Sequence, residues 1–208
     1  MGKNACHAAV MGVAVTLGAT ASLAAGTLRI TSPAFQPNAT LPSSATCEGE
    51  GRSPEVQFSG VPTAARSLVL IVFDPDVPRA LKSDGRFLHW AVWDLPPDSG
   101  TVANASRARS VNENGGGGYI PACPPNGEHR YVFQLFALDT TLGNTRITNE
   151  ADLRRAMEGH TLDQAELVGR YTTRTFRIVR FVLAAVVLLV VFLVVRRVIA
   201  RRRAASSS

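Results

Sequence analysis

Acidic residues are missing from both ends of this chain. None lies within residues 1–27, and none follows from Arg170 onward, where nine arginines stand. The middle segment, 28–169, holds all sixteen acidic residues against twelve basic ones, a net charge of −4. The overall +6 and the pI near 9.9 therefore belong to the ends, and the main argument for nucleic-acid binding falls away. Hydrolytic signatures are missing too: there is no Gly-x-Ser-x-Gly and no His-Glu-x-x-His. Four glycines, Gly115–Gly118, suggest a phosphate-cradling loop, but Pro121, Pro124 and Pro125 forbid the helix that such a loop must open. No internal repeat is visible. Neither an enzymatic activity nor a cofactor is expected.

What the ends do contain is apolar. Residues 1–25 read as a signal peptide: Lys3, then a run of apolar and small residues from Ala8 to Leu23, then Ala24 and Ala25 as small residues suited to cleavage. Its removal would take Cys6 with it and leave Cys47 and Cys123. In an exported chain that even pair points to one disulfide, the alternative being two buried thiols. At the other end, Phe181–Val195 carries no charge and no polar face. Fifteen helical residues reach only about 22 Å of a ~30 Å hydrocarbon layer, so Arg180 and Arg196 must snorkel for the segment to span. The expected organisation is a binding domain over 26–172, a juxtamembrane linker over 173–180, a transmembrane helix over 181–200 and a basic tail over 201–208. Arginines flank the apolar run on both sides, so the orientation rests on the signal peptide, which places the domain outside the cytosol and the tail within it.

Between the ends, the strongest pattern is Leu68–Pro96. Leu68–Phe73 is apolar and largely β-branched, as in a strand buried on both faces, and Phe87–Leu95 is an aromatic-rich strand containing His89. Pro75 and Pro78 end the first of these, so that Asp74 and Asp76 emerge where a buried strand stops. Tyr131–Leu138 is a third strong strand. Shorter ones are expected at Thr27–Ile30, Val56–Phe58 and Ala165–Tyr171, and Pro97–Asn114 reads as irregular. Thr148-Asn149-Glu150 should open a helix ending near Met157, with Gly159 as its stop. Asn38 and Asn104 head N-glycosylation sequons. Strands with one soluble helix make a mainly β domain.

FDPDVP, FLHW and PPNGEHRYVFQLFAL, in this order, resemble the phosphatidylethanolamine-binding protein family, and CEGEGRSPEVQFSGVP and MEGHTLDQAELVGRY resemble its bacterial-type branch. The likeness runs from about Leu28 to Tyr171. It implies a central antiparallel sheet with a smaller second sheet, and a small anion-binding pocket containing Asp74, Asp76, Pro78, His89, His129 and Tyr131. Such a pocket would take a phosphate-containing small molecule or a phospholipid headgroup. Protein partners, a protease or a receptor, are the alternative that the likeness also raises. These carboxylates and histidines have the ligand types of a metal site, but no metal is expected. Where bacterial-type relatives usually carry Gly-Gly-Pro before Cys-Pro-Pro, this chain has Ile120-Pro121-Ala122, a change at the pocket rim.

Overall fold

The structure is a computed structural model that describes residues 27–98, 100–102, 109–143 and 145–205, with residues 198–205 described through their backbone alone. The expected signal peptide, Cys6 and the sequon at Asn104 lie outside the described residues.

Among the described residues, seven strands and two α-helices follow in order: β1 (Arg29–Thr31), β2 (Gln57–Ser59), β3 (Ser67–Asp74), β4 (Phe87–Leu95), β5 (Arg109–Val111), β6 (His129–Leu138), α1 (Glu150–Met157), β7 (Thr161–Tyr171) and α2 (Arg174–Ala205). β1 and β2 form a small sheet, and the other five form a larger one in the order β5-β4-β3-β6-β7. All of these pairings are antiparallel. The mainly β architecture with two sheets is the one expected.

Every residue of β3 is buried, which fits its place at the centre of the larger sheet. Its alternate side chains feed two cores. Leu68, Leu70 and Val72 pack with Val56, Phe58 and Phe133 towards the small sheet, while Val69, Ile71 and Phe73 pack with Leu153 and Met157 of α1. A strand with apolar residues on both faces can only sit between two such layers. Asn149 caps α1, its Oδ1 accepting from Asp152 N at 2.9 Å, and Gly159 leaves the helix at φ 78°.

Two bulges shape β4. Val72 pairs with Trp90 but Phe73 pairs with Leu88, which makes His89 an extra residue against β3. At the far end Leu70 pairs with Val92 but Leu68 with Leu95, and here Asp94 takes φ 58°. Bulges re-aim side chains, and these two re-aim a histidine and an aspartate at opposite ends of one strand.

Three expectations about elements need adjustment. The stretch expected to be irregular contains β5, which is held through Ala91↔Val111 and Val92↔Ser110. β7 begins at Thr161, four residues before the expected Ala165. Residues 174–180, expected as a linker, are already helical, because α2 starts at Arg174. Arginine is a good helix former, and the carboxylate of Glu48 accepts from Arg174 N at 2.8 Å, meeting one of the four N–H groups that a helix start leaves unpaired. Arg174–Arg197 is long and apolar enough to cross a membrane by length and composition.

Candidate functional site

The C-terminal end of β3, the start of β4 and the start of β6 lie side by side, since Asp74 pairs with Phe87 and Phe73 with Val132. A cavity of about 360 Å³ opens there. Its polar lining comes from Asp74, Lys82, His89, Glu113 and Tyr131, and its apolar walls include Phe87 and Pro121.

His89 is buried, delivered by the bulge onto the face that also carries Tyr131, whose ring centroid is 5.1 Å away. Its Nδ1 lies 2.7 Å from the Ile120 carbonyl. A carbonyl only accepts, so Nδ1 carries the proton and Nε2 is left with its lone pair. Nε2 makes no hydrogen bond among the described residues. Burial pulls the His89 pKa below its ordinary 6.5, and the Ile120 carbonyl and the Asp74 charge offset this only in part. The ring is therefore a neutral acceptor. Ile120 N returns a bond to His89 O at 2.9 Å, so the rim segment Ile120-Pro121-Ala122 is what fixes the ring's tautomer.

Tyr131 is fully buried, and its hydroxyl has no partner among the described residues. Burial, followed by the charge of Asp74, pushes its pKa up, so it stays a phenol able to donate. The other two buried side-chain atoms in this condition are the indole N–H groups of Trp90 and Trp93, and neither residue lines the cavity. A buried polar atom without a partner is costly, and one that faces a cavity has room for a ligand to supply the bond.

Asp74 is only 3% exposed and is fully occupied: Oδ1 accepts from Asp76 N at 2.7 Å, and Oδ2 lies 2.6 Å from His129 Nδ1. His129, 3% exposed, stands behind Asp74 rather than in the lining, with Nε2 3.2 Å from Asn126 Oδ1. Asp76 points outward and holds Arg130, accepting from its backbone N at 2.9 Å, Nε at 2.9 Å and Nη2 at 2.7 Å. The Arg130 guanidinium holds the Asp76 carboxyl below the usual carboxylate range. Pro78 also lies outside the lining; its carbonyl accepts from Leu81 N and Lys82 N and so builds the turn that carries both residues to the cavity. Of the six residues singled out in the sequence, Asp74, His89 and Tyr131 face the cavity, and Asp76, Pro78 and His129 support it.

Sequence reasoning missed Lys82 and Glu113. Lys82 Nζ lies 2.7 Å from Asp84 Oδ2 and 3.1 Å from Glu113 Oε1. Burial alone would lower its pKa, but these two carboxylates reverse the sign and hold the ammonium above its ordinary value. One signal was available: Lys82 is the only lysine after Lys3. Counted by type, the lining sets two carboxylates, Asp74 and Glu113, against this one ammonium. A cavity so lined suits a ligand that carries positive charge beside any negative one.

The rim is cross-linked. Cys47 and Cys123 form a disulfide with Cα atoms 5.4 Å apart, and Cys123 lines the cavity. Gly51, at φ 69°, lets the neighbouring turn lie against Pro121, whose Cγ would be 2.7 Å from any added Cβ. Asn38, the sequon residue within the described chain, is exposed in a turn at φ 62° and does not line the cavity. Among the described residues no group of three or more metal-ligating side chains is assembled.

Four likenesses accompany this geometry. The profile described as phosphatidylethanolamine-binding protein matches residues 31–172. A protein of Chlamydia trachomatis described as UPF0098 protein is 41% identical over 147 residues, spanning 69% of this chain and 98% of its own length. Among solved structures, a putative phosphatidylethanolamine-binding protein homologue from Chlamydia trachomatis shares 40% identity over 72% of this chain and 99% of its own, with a TM-score of 0.67. YbcL of E. coli, described as a new member of the mammalian family, follows at 25% identity, 71% and 99% coverage and a TM-score of 0.59.

Proposed function

The chain belongs to the phosphatidylethanolamine-binding protein family, and from that premise we propose that its cavity holds a phosphate ester bearing a cationic group, phosphoethanolamine being the simplest. The observation that carries this reading is the pair of unpartnered polar atoms at the cavity, Tyr131 Oη and His89 Nε2. The phenol donates to a phosphate oxygen. The neutral imidazole accepts from a P–OH group or, once protonated by the ligand's approach, donates. Lys82 adds charge to the phosphate side, while Glu113 meets the ammonium and Asp74 contributes its negative charge from behind. Apolar walls exclude water and leave little to be ordered on binding.

The same proposal makes α2 a single membrane span, with the domain outside the cytosol and the arginines of 196–203 inside. Its support is a segment with no buried residue, uncharged for fifteen residues between Arg180 and Arg196. The activity assigned is binding, with no chemical step.

The test uses residues 26–172, kept oxidised, a segment that makes up almost the whole of the related Chlamydia protein. Melting is followed against inorganic phosphate and phosphoethanolamine, for the wild type and for His89→Ala and Tyr131→Phe. A ligand at about 100 times its Kd adds about 2.7 kcal/mol. The shift should be larger for phosphoethanolamine and be lost in both variants. Tyr131→Phe without ligand should melt no lower than the wild type, because it removes an unsatisfied hydroxyl. An equal shift in wild type and both variants would place the ligand elsewhere.

A further inference from the structure

A second cavity, of about 660 Å³, lies where the domain meets α2. The helix contributes Phe176, Arg177, Arg180, Phe181 and Ala184, and the last four, spaced by three, four and seven residues, share one face. The domain contributes Thr172, and Gly127 and Glu128 from the loop that leads into His129.

Four arginines surround this junction, and the structure divides them into two pairs. Arg170 Nη1 lies 3.1 Å from Glu128 Oε1, and Arg174 Nε lies 4.0 Å from Glu48 Oε2. Arg177 and Arg180 form no salt bridge among the described residues, and both line the cavity, although the Arg177 charge still helps to hold the Glu48 carboxyl below its ordinary range. The one carboxylate in the lining, Glu128, is the one already engaged by Arg170. Two guanidinium groups without a salt bridge thus stand above a part of the lining formed by Phe181 and Ala184, the start of the apolar run. From Arg177 to Ala184 the helix descends about 10 Å, the depth over which a bilayer passes from headgroup to acyl chain.

We infer that this junction is a binding site for an anionic phospholipid of the bilayer that α2 enters. Arg177 and Arg180 take the phosphate, and Phe181 and Ala184 lie along the first part of an acyl chain. The inference rests on the proposed membrane span, but not on the ligand of the first cavity. Its consequence concerns orientation. His129 pairs with Tyr171, so β7 leaves the sheet at the end where the first cavity opens, and α2 begins three residues later. Glu48, next to Cys47, ties the helix start to the domain through Arg174 N and the Tyr171 hydroxyl. A lipid bound at the junction would hold that end of the domain against the membrane surface.

The experiment takes the full chain in nanodiscs of phosphatidylcholine with or without phosphatidylglycerol, and counts phospholipid retained on extraction by native mass spectrometry. The wild type should retain one phosphatidylglycerol in preference to phosphatidylcholine, and His89→Ala should retain it equally. In Arg177→Gln/Arg180→Gln retention should fall about thirtyfold, from two arginines near an anionic surface, and Arg177→Lys/Arg180→Lys should restore most of it. Undiminished retention in the double glutamine variant would overturn the site, as would equal retention of the two lipids by the wild type. Loss in His89→Ala alone would move the lipid to the first cavity. If the glutamine variant fails to insert, the wild type decides: retention of phosphatidylglycerol must weaken as salt rises, and salt-independent retention would count against the site.

Discussion

The two ends of β4 make the same local move with opposite results. Each has a bulge that sets a polar side chain out of the regular alternation. At one end Asp94 turns its carboxylate onto Leu142 N at 2.8 Å and Gly143 N at 3.1 Å, closing a loop. At the other, His89 gives Nδ1 to Ile120 and keeps Nε2 unspent beside an unspent Tyr131 hydroxyl. The histidine–aspartate pairs repeat the contrast. His129 and Asp74 have side chains only 4% exposed, whereas His160 and Asp139, at the far end of the sheet, are 47% and 46% exposed. Paired polar groups are scaffold at either end. What marks the site is the buried polar atom left over.

The sharpest way to break this comparison is to remove one acid from each pair. Asp74→Ala leaves His129 Nδ1 buried without its partner and should cost about 3–5 kcal/mol in denaturant unfolding. Little loss there would mean that the pair is not the buried scaffold it looks to be. Next comes the other bulge: Asp94→Ala strips an acceptor from two backbone N–H groups and should cost about 1–3 kcal/mol, without altering the response to phosphoethanolamine. A changed response would make that end part of the site.

The third prediction concerns pH. His89 has a folded pKa below the ordinary 6.5, so between the two values the unfolded chain binds a proton that the folded one refuses. Its contribution is absent above 6.5, and stability then declines as pH falls through 6.5 towards the folded value. His89→Gln should flatten that decline by up to one proton's slope; an unchanged slope would show that His89 is not buried as a neutral ring. The smallest effect belongs to Asp139→Ala, expected to cost no more than about 1 kcal/mol because both partners are half exposed.

How much of this was legible in the sequence depends on whether a feature is local. β3 announced itself through an unbroken apolar run, and β4 through its aromatic density. The α1 cap was readable because Asn149 bonds within its own turn. The bulge at His89 was not, since an extra residue exists only relative to Phe73 and Leu88 across the ladder. Asp74, His89 and Tyr131 were found through the family likeness, but their division of labour from Asp76, Pro78 and His129 was set by side-chain direction, which no motif carries. Lys82 and Glu113 escaped because each sits in a stretch that reads as turn or irregular chain, and they meet only in space. Residues 174–180 looked like a linker because arginine and threonine interrupt the apolar pattern there, although they suit a helix whose start is met by Glu48, more than a hundred residues earlier.

The central claim is that the atom left free at the His89 bulge is what meets the ligand. Imidazole nitrogen resonances of the oxidised domain, followed by NMR during titration with phosphoethanolamine, read that atom directly. The account predicts that His89 Nε2 moves from the position of a free acceptor to that of a hydrogen-bonded or protonated nitrogen, while His160 stays where it was. A saturating titration that leaves His89 Nε2 unmoved would contradict it.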